Sequence, residues 1–166
     1  SLDVAGHEYT HGVISHTSEL PHEGESGALG ESFGDIFGEM VEHYASPLFI
    51  DPQEPSPFPD WVSGTHAEPL RFLSDPYNSP QNTATVIQPL TYQEPNHWID
   101  PTSSFDHGGV HVNCSVQSYW FYLLAMGGTH PTTNITVQGI GLNKAALIAF
   151  NNMTDELDSE SDYSDA

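Results

Sequence analysis

The chain has 166 residues, about one domain's worth, and is 37% hydrophobic and 11% aromatic, enough for a packed core. It carries 23 Asp plus Glu against 2 Lys plus Arg, a formal charge of −21, which excludes a phosphate-neutralising patch for nucleic acid and adhesion to an anionic membrane. No apolar run approaches the roughly 20 residues of a spanning helix, and one cysteine, Cys114, excludes an internal disulfide framework; ten histidines are the unusual feature, since imidazole is the commonest protein metal ligand. The sequence opens at Ser1 without a leader-like segment and ends in an acid- and serine-rich run, so it reads as a single partial domain excised from a longer protein.

Residues 2–16 are predicted to form a helix, with Val4, His7, His11 and Ile14 on one face. Residues 16–24 read as a polar connection and 25–45 as a second helix with an apolar stripe of Leu29, Phe33, Ile36, Phe37, Met40, Val41 and Tyr44. A second stripe is Gly27, Gly30, Gly34 and Gly38; each costs about 1 kcal/mol relative to Ala in a helix interior, so all four predict close packing of another backbone. Residues 46–109 read as loop, because Pro47, Pro52, Pro55, Pro57 and Pro59 break a helix, with a short extended piece at Arg71–Leu73. The aromatic residues Phe72, Tyr77, Tyr92 and Trp98 favour order in that long loop. Helix is expected again at 110–126, with Val112, Val116, Tyr119, Trp120, Leu123 and Leu124 inward, and at 137–150; the acidic segment 155–166 reads as a solvated tail. The fold class is therefore mainly α, with two helices over 2–45, long loops over 46–109 and a helical part over 110–154.

The central motif is His7-Glu8-Tyr9-Thr10-His11. Histidines at i and i+4 project from one helical face, so both imidazoles reach one metal ion, and Glu8 between them points beside the metal, where it can take a proton from a water that zinc has acidified. A catalytic zinc wants three protein ligands and an open position. Glu31, after nineteen intervening residues and on the second helix, is the third candidate ligand, and Asp35 one turn on can hold the N–H of a zinc-binding histidine.

HEYTH followed at this distance by E-x-x-x-D within ESGALGESFGDIFG resembles the thermolysin-like neutral metallopeptidases. Leu70-Arg71-Phe72-Leu73-Ser74-Asp75-Pro76, Asp106-His107-Gly108-Gly109-Val110-His111 and Gly139-Ile140-Gly141-Leu142-Asn143-Lys144-Ala145 are similar to later segments of the family, in family order. The resemblance implies a zincin-type helical lobe and a secreted endopeptidase. In it His7, His11 and Glu31 bind zinc, Glu8 is the general base, His111 stabilises the oxyanion and Asp106 orients His111. It also implies that Arg71 binds a substrate carbonyl, while Val4 and Leu70 line a pocket preferring a bulky apolar residue after the scissile bond. It further implies a β-rich N-terminal lobe, terminal helices and a propeptide outside this sequence, and a peptide or protein as substrate.

Other readings stay open beside it. Arg71 also reads as an ordinary ion-pair partner, and Asp106 with His111 as a helix cap and a core histidine. His16, His43, His66, His97, His107 and His130 read as surface or packing residues. His22 stands where the family usually has a tyrosine that hydrogen-bonds the oxyanion, so its reach and charge differ. Asp3, Glu42 and Asp60 match calcium-ligand positions, but Val62 and Ser63 replace the acids that would complete a two-calcium site. Sequons begin at Asn113, Asn134 and Asn152, the first inside an expected buried helix. A zinc-binding or interaction domain without catalysis, or an inactive fragment, is the competing class, and it has no need of Glu8.

Overall fold

A computed structural model describes residues 1–49, 59–64 and 68–166, of which 46–49 are described as backbone only. The expected loop over 50–58 and His66 lie outside the described residues. The elements in order are α1 (Leu2–Ile14), α2 (Gly24–Phe49), β1 (Val62–Ser63), β2 (Arg71–Phe72), α3 (Asp106–Asn113), α4 (Ser115–Met126), β3 (Gly128–Thr129), β4 (Thr136–Val137) and α5 (Leu142–Asn151). The fold is mainly α, and its two sheets are two-stranded antiparallel pairs.

α1 begins with Asp3 in its first turn, where the helix dipole favours an acid. It ends at Ile14, two residues earlier than expected, where Glu19 turns back at φ 55° and donates its N–H to the Ile14 carbonyl at 2.8 Å. α2 runs antiparallel to it and reaches Phe49, beyond the predicted end at 45. Pro47 is therefore inside the helix, where it removes one donor.

The glycine stripe explains how closely these helices lie. A Cβ at Gly38 would sit 2.5 Å from the Asp3 carbonyl oxygen, one at Gly34 2.7 Å from the His7 ring, and one at Gly27 2.6 Å from Val110. Gly30 is the exception: its Cβ would meet only Ile14 Cδ1, at 3.9 Å. Close packing therefore accounts for three of the four glycines.

Leu29, Phe33, Ile36 and Met40 of α2 pack with Ile14, Trp61, Leu73, Phe121, Ala145, Ala149, Met153 and Leu157 into the main core. Val41 and Tyr44, expected on that stripe, are exposed, as is Trp120 of α4 at 43%. The apolar α5 residues Leu147, Ile148 and Phe150 are also exposed; Ala145 and Ala149 make that helix's core contact. α5 starts at Leu142 rather than 137, because Thr136–Val137 pair with Gly128–Thr129 as β4 against β3.

The last segment is not a solvated tail. Leu157 is buried, Ser26 Oγ donates to the Ser161 carbonyl at 2.6 Å, and the Tyr163 hydroxyl donates to the Asn113 carbonyl at 2.9 Å. The chain therefore returns across α2 and under α3. Over 68–105 the loop is held by side chains, as its aromatics predicted. Buried Glu94 accepts the Leu90 N–H at 2.6 Å and the Tyr77 hydroxyl. Asn113, fully buried and so closed to glycosylation, fastens Ile99 through both its N–H and its carbonyl at 3.0 and 2.9 Å.

Candidate active site

Antiparallel α1 and α2 bring their polar faces together over a cleft of about 600 Å³ lined by His7, Glu8, His11, Glu31, Arg71 and His111. His7 Nε2 and His11 Nε2 are 3.1 Å apart. Glu31 Oε2 lies 3.4 Å from the first and Oε1 3.2 Å from the second. A tetrahedral ion with bonds of roughly 2.0–2.1 Å needs ligand atoms roughly 3.3–3.4 Å apart, so this N,N,O set fits zinc. Buried Glu31 Oε2 has no hydrogen-bond partner of proper geometry among the described residues, as a metal ligand would not.

Asp35 organises the set from behind. Its Oδ1 accepts from His7 Nδ1 at 3.0 Å, Ser63 Oγ at 3.0 Å and Arg71 Nη2 at 2.8 Å, and its Oδ2 accepts from Arg71 Nε at 2.6 Å. With Nδ1–H held there, His7 Nε2 turns into the cleft. Arg71 reaches this position because β2 pairs with β1, placing Ser63 opposite Arg71.

The electrostatics are balanced within the chain. Burial opposes ionisation of Glu31, but the His11 and His7 imidazoles outweigh it and hold its carboxyl well below the usual range. Burial likewise opposes a charged Asp35, yet Arg71 and His7 hold it down at about 2. Burial opposes a cationic His7, but Asp35 and Glu31 raise it to about 9. The Arg71 guanidinium is buried and pushed up by Asp35 against the cost of burial.

His111 enters from α3. Its Nδ1 donates to Asp106 Oδ1 at 2.6 Å and its backbone N–H to Asp106 Oδ2 at 2.8 Å, while its Nε2 lies 3.3 Å from Glu31 Oε2. Asp106, His107, Gly108 and Gly109 all have positive φ, so a left-handed turn folds the aspartate back onto the histidine. The helix proper starts at Val110. Asp106 is thus the carboxylate partner of His111 rather than a cap on a regular helix.

Val4 and Leu70 line the cleft, and Glu8 is exposed into it. His22 sits at the rim, its Nδ1 3.6 Å from Glu31 Oε1 and its ring 5.8 Å from that of His111. His107, expected as an ordinary surface residue, approaches the His22 ring at 5.7 Å. His16 is exposed, and His130 packs on Tyr119 and reaches the Leu90 carbonyl. Sequence reasoning missed Ser63 and Gln81 on the cleft wall, which sit in segments without helical periodicity.

A second group of acids lies further along the same helix pair. One carboxylate oxygen each from Asp3, Glu39 and Glu42 fall within 4.8 Å of one another. Asp60 is exposed and outside this triple, although it lies close enough to act on Glu39. Glu39, not singled out from sequence, was legible as the residue one turn beyond Asp35 on the same face. Its Oε2 accepts the Trp61 N–H at 3.0 Å, while buried Oε1 has no hydrogen-bond partner among the described residues. Burial first, then Asp60, Asp3 and Glu42, push its carboxyl well above the usual range. An all-oxygen set with an orphaned oxygen fits a hard cation such as calcium.

Residues 18–166 match the family described as thermolysin metallopeptidase, alpha-helical domain. The chain is 35% identical to bacillolysin from Bacillus cereus over 166 residues, covering 99% of this chain and 26% of that protein. It is 34% identical to thermolysin from Alicyclobacillus acidocaldarius, covering 98% and 27%. The solved precursor of protealysin, a metalloproteinase from Serratia proteamaculans, superposes with a TM-score of 0.70 at 26% identity, over 98% of this chain and 47% of that one. The chain thus spans about a quarter of the length of the curated relatives it matches. Both the fold and these matches place it in one family: the chain belongs to the thermolysin-like metallopeptidases, whose α-helical domain it carries.

Proposed function

We propose that this chain is the zinc-bearing part of an extracellular endopeptidase that hydrolyses peptide bonds by attack of water. The observation that carries the reading is the meeting of His7, His11 and Glu31 with Glu8 and His111 around one cleft. His7, His11 and Glu31 would hold zinc, which when bound supplies a Lewis acid and lowers the pKa of water towards about 7.

The chain's own groups do the rest. Glu8, free in the cleft, accepts the proton of the attacking water and passes it to the leaving amine. His111 Nε2–H faces the cleft and donates to the oxyanion that develops on the substrate carbonyl; Asp106 fixes its tautomer and its orientation. His22 is a second donor at the same rim. Arg71 first neutralises Asp35 and Glu31, and its remaining N–H groups are those left for a substrate carbonyl. Val4 and Leu70 would receive a bulky apolar side chain after the scissile bond. A β-rich lobe of the parent protein would supply the facing wall of the cleft, consistent with the share of its relatives that this chain covers.

Glu8→Ala separates this reading from a non-catalytic zinc-binding domain. Zinc content, measured by elemental analysis, should stay at about one per chain while peptide cleavage is lost. Cleavage unchanged in Glu8→Ala, or a zinc-loaded wild type that cleaves nothing, would favour the binding domain.

A further inference from the structure

A second cavity, of about 300 Å³, lies between α4 and the β3–β4 hairpin. Tyr119, Trp120 and Leu123 line it from α4, and Thr133, Ile135 and Val137 line it from the hairpin. Its edge is open: Ile135 is 63% exposed and Trp120 43%. Apolar surface left open beside a cavity calls for a cover. Asn134 stands at that edge. It sits between Thr133 and Ile135, in the loop that joins β3 to β4. It is exposed, and its side-chain amide makes no hydrogen bond among the described residues; its backbone N–H donates to the His130 carbonyl at 2.9 Å.

The left-handed backbone of Asn134, at φ 58°, suits an asparagine by itself. It does not call for an exposed isoleucine next in the chain, nor for a hydroxyl two residues on. Asn134-Ile135-Thr136 is an acceptor sequence for an N-linked sugar. Neither of the other two sequons is so displayed. Asn113 is buried with its amide bonded to Ile99. Asn152 is half-buried in the helical turn Asn152–Glu156, where the Thr154 hydroxyl donates to the Phe150 carbonyl at 2.9 Å. We propose that Asn134 carries an N-linked glycan whose first sugars cover the open edge of this cavity at Ile135 and Trp120. The donor is a lipid-pyrophosphate-linked oligosaccharide of a eukaryotic secretory route. Asn134 Nδ2 forms a bond to C1 of the first N-acetylglucosamine. The bond from C1 to the pyrophosphate oxygen breaks, the lipid pyrophosphate leaves with the electron pair, and one amide proton passes to solvent. The C–H face of the sugar ring then lies on the apolar edge while its hydroxyls stay in water, so apolar surface is covered with no polar group left unpaired. A neutral sugar also suits a chain of formal charge −21, which repels acidic partners. The assignment is independent of whether the chain cleaves peptides.

The parent protein is purified from the medium of its source organism, digested, and treated with peptide N-glycosidase F in water enriched in heavy oxygen. That enzyme turns a glycosylated asparagine into an aspartate bearing the heavy label. Mass spectrometry should find the label at Asn134 and at neither Asn113 nor Asn152. An unlabelled Asn134, with or without label at Asn152, overturns the site. In the same host Thr136→Ser should keep the sugar, and Thr136→Val and Asn134→Asp should each lose it. Sugar retained in Thr136→Val overturns its assignment to this sequon. Hydroxyl-radical labelling of the folded proteins then reads the cover. Trp120 and Ile135 should label faster in the two sugar-free variants than in Thr136→Ser, while Tyr9 on α1 labels alike in all three. Equal labelling of Trp120 and Ile135 with and without the sugar overturns the cover.

Discussion

The α1–α2 pair buries acids at two places, and the two are opposite in charge balance. Around Glu31 and Asp35 the chain supplies His7, His11, His111 and Arg71, which keep both carboxyls ionised against the push of burial. Around Asp3, Glu39 and Glu42 burial and neighbouring acids act together, and Glu39 is driven well above the usual carboxylate range. The helices and their close glycine contacts are shared; among the described residues, what differs is the cationic neighbours that act on Glu31 and Asp35 and the acidic ones that act on Glu39. A buried carboxylate needs a positive partner. The first cluster has its partners built in and offers a zinc ion three ready ligands, whereas in the second Glu39 Oε1 has no hydrogen-bond partner among the described residues and calls for a proton or a cation.

The largest test of this contrast is Arg71→Met. It leaves Asp35 buried with His7 as its one cationic neighbour among the described residues and should cost about 3–5 kcal/mol in urea unfolding. A loss below about 1 kcal/mol would mean that His7 alone balances Asp35. Next, calcium at 100 times its dissociation constant should stabilise the wild type by about 2.7 kcal/mol. Glu39→Gln should lose that response and, without calcium, be no less stable than wild type. Equal calcium responses in the two proteins would break the comparison.

In zinc-free protein Asp35 and Glu31, against the opposing effect of burial, raise the folded pKa of His7 from the ordinary 6.5 to about 9. Its contribution is therefore fully present below about 6.5 and disappears as pH rises through about 9. Stability of the zinc-free protein should fall by on the order of 3 kcal/mol across that window. Zinc should flatten the fall, because bound metal replaces the proton. A zinc-free protein whose denaturation midpoint holds constant from pH 6 to 10 would show that His7 is neutral throughout. The smallest stability change is expected for His22→Tyr. The His22 side chain is 51% exposed, so stability should move by less than about 0.5 kcal/mol, while turnover rises if a phenol reaches the oxyanion better. Unchanged turnover would remove His22 from the catalytic reading.

Much of the candidate metal cluster was readable along the chain. Histidines four apart on a helix must share a face, and Glu31 and Asp35 repeat that spacing on the next helix. Their fit to one another still required the antiparallel pairing of α1 with α2. Arg71 shows where linear reading stopped: as one of two basic residues it fitted either an ion pair or a substrate contact. Only the β1–β2 ladder turned its guanidinium beneath Asp35. Glu39 escaped notice because an acid on a helix reads as solvated until its burial is known. The tail 155–166 reads as polar from composition, yet its Leu157 and Tyr163 find partners more than forty residues away.

By itself the sequence determined the helical class, the ligand types and the HEYTH face, because helical periodicity and imidazole chemistry are local properties. The tertiary structure alone decided which acids are compensated, that the tail packs, and that Gly30 opens on space while its three companions do not. Burial, charge pairing and steric contact are relations between distant segments, and no stretch of sequence contains both partners.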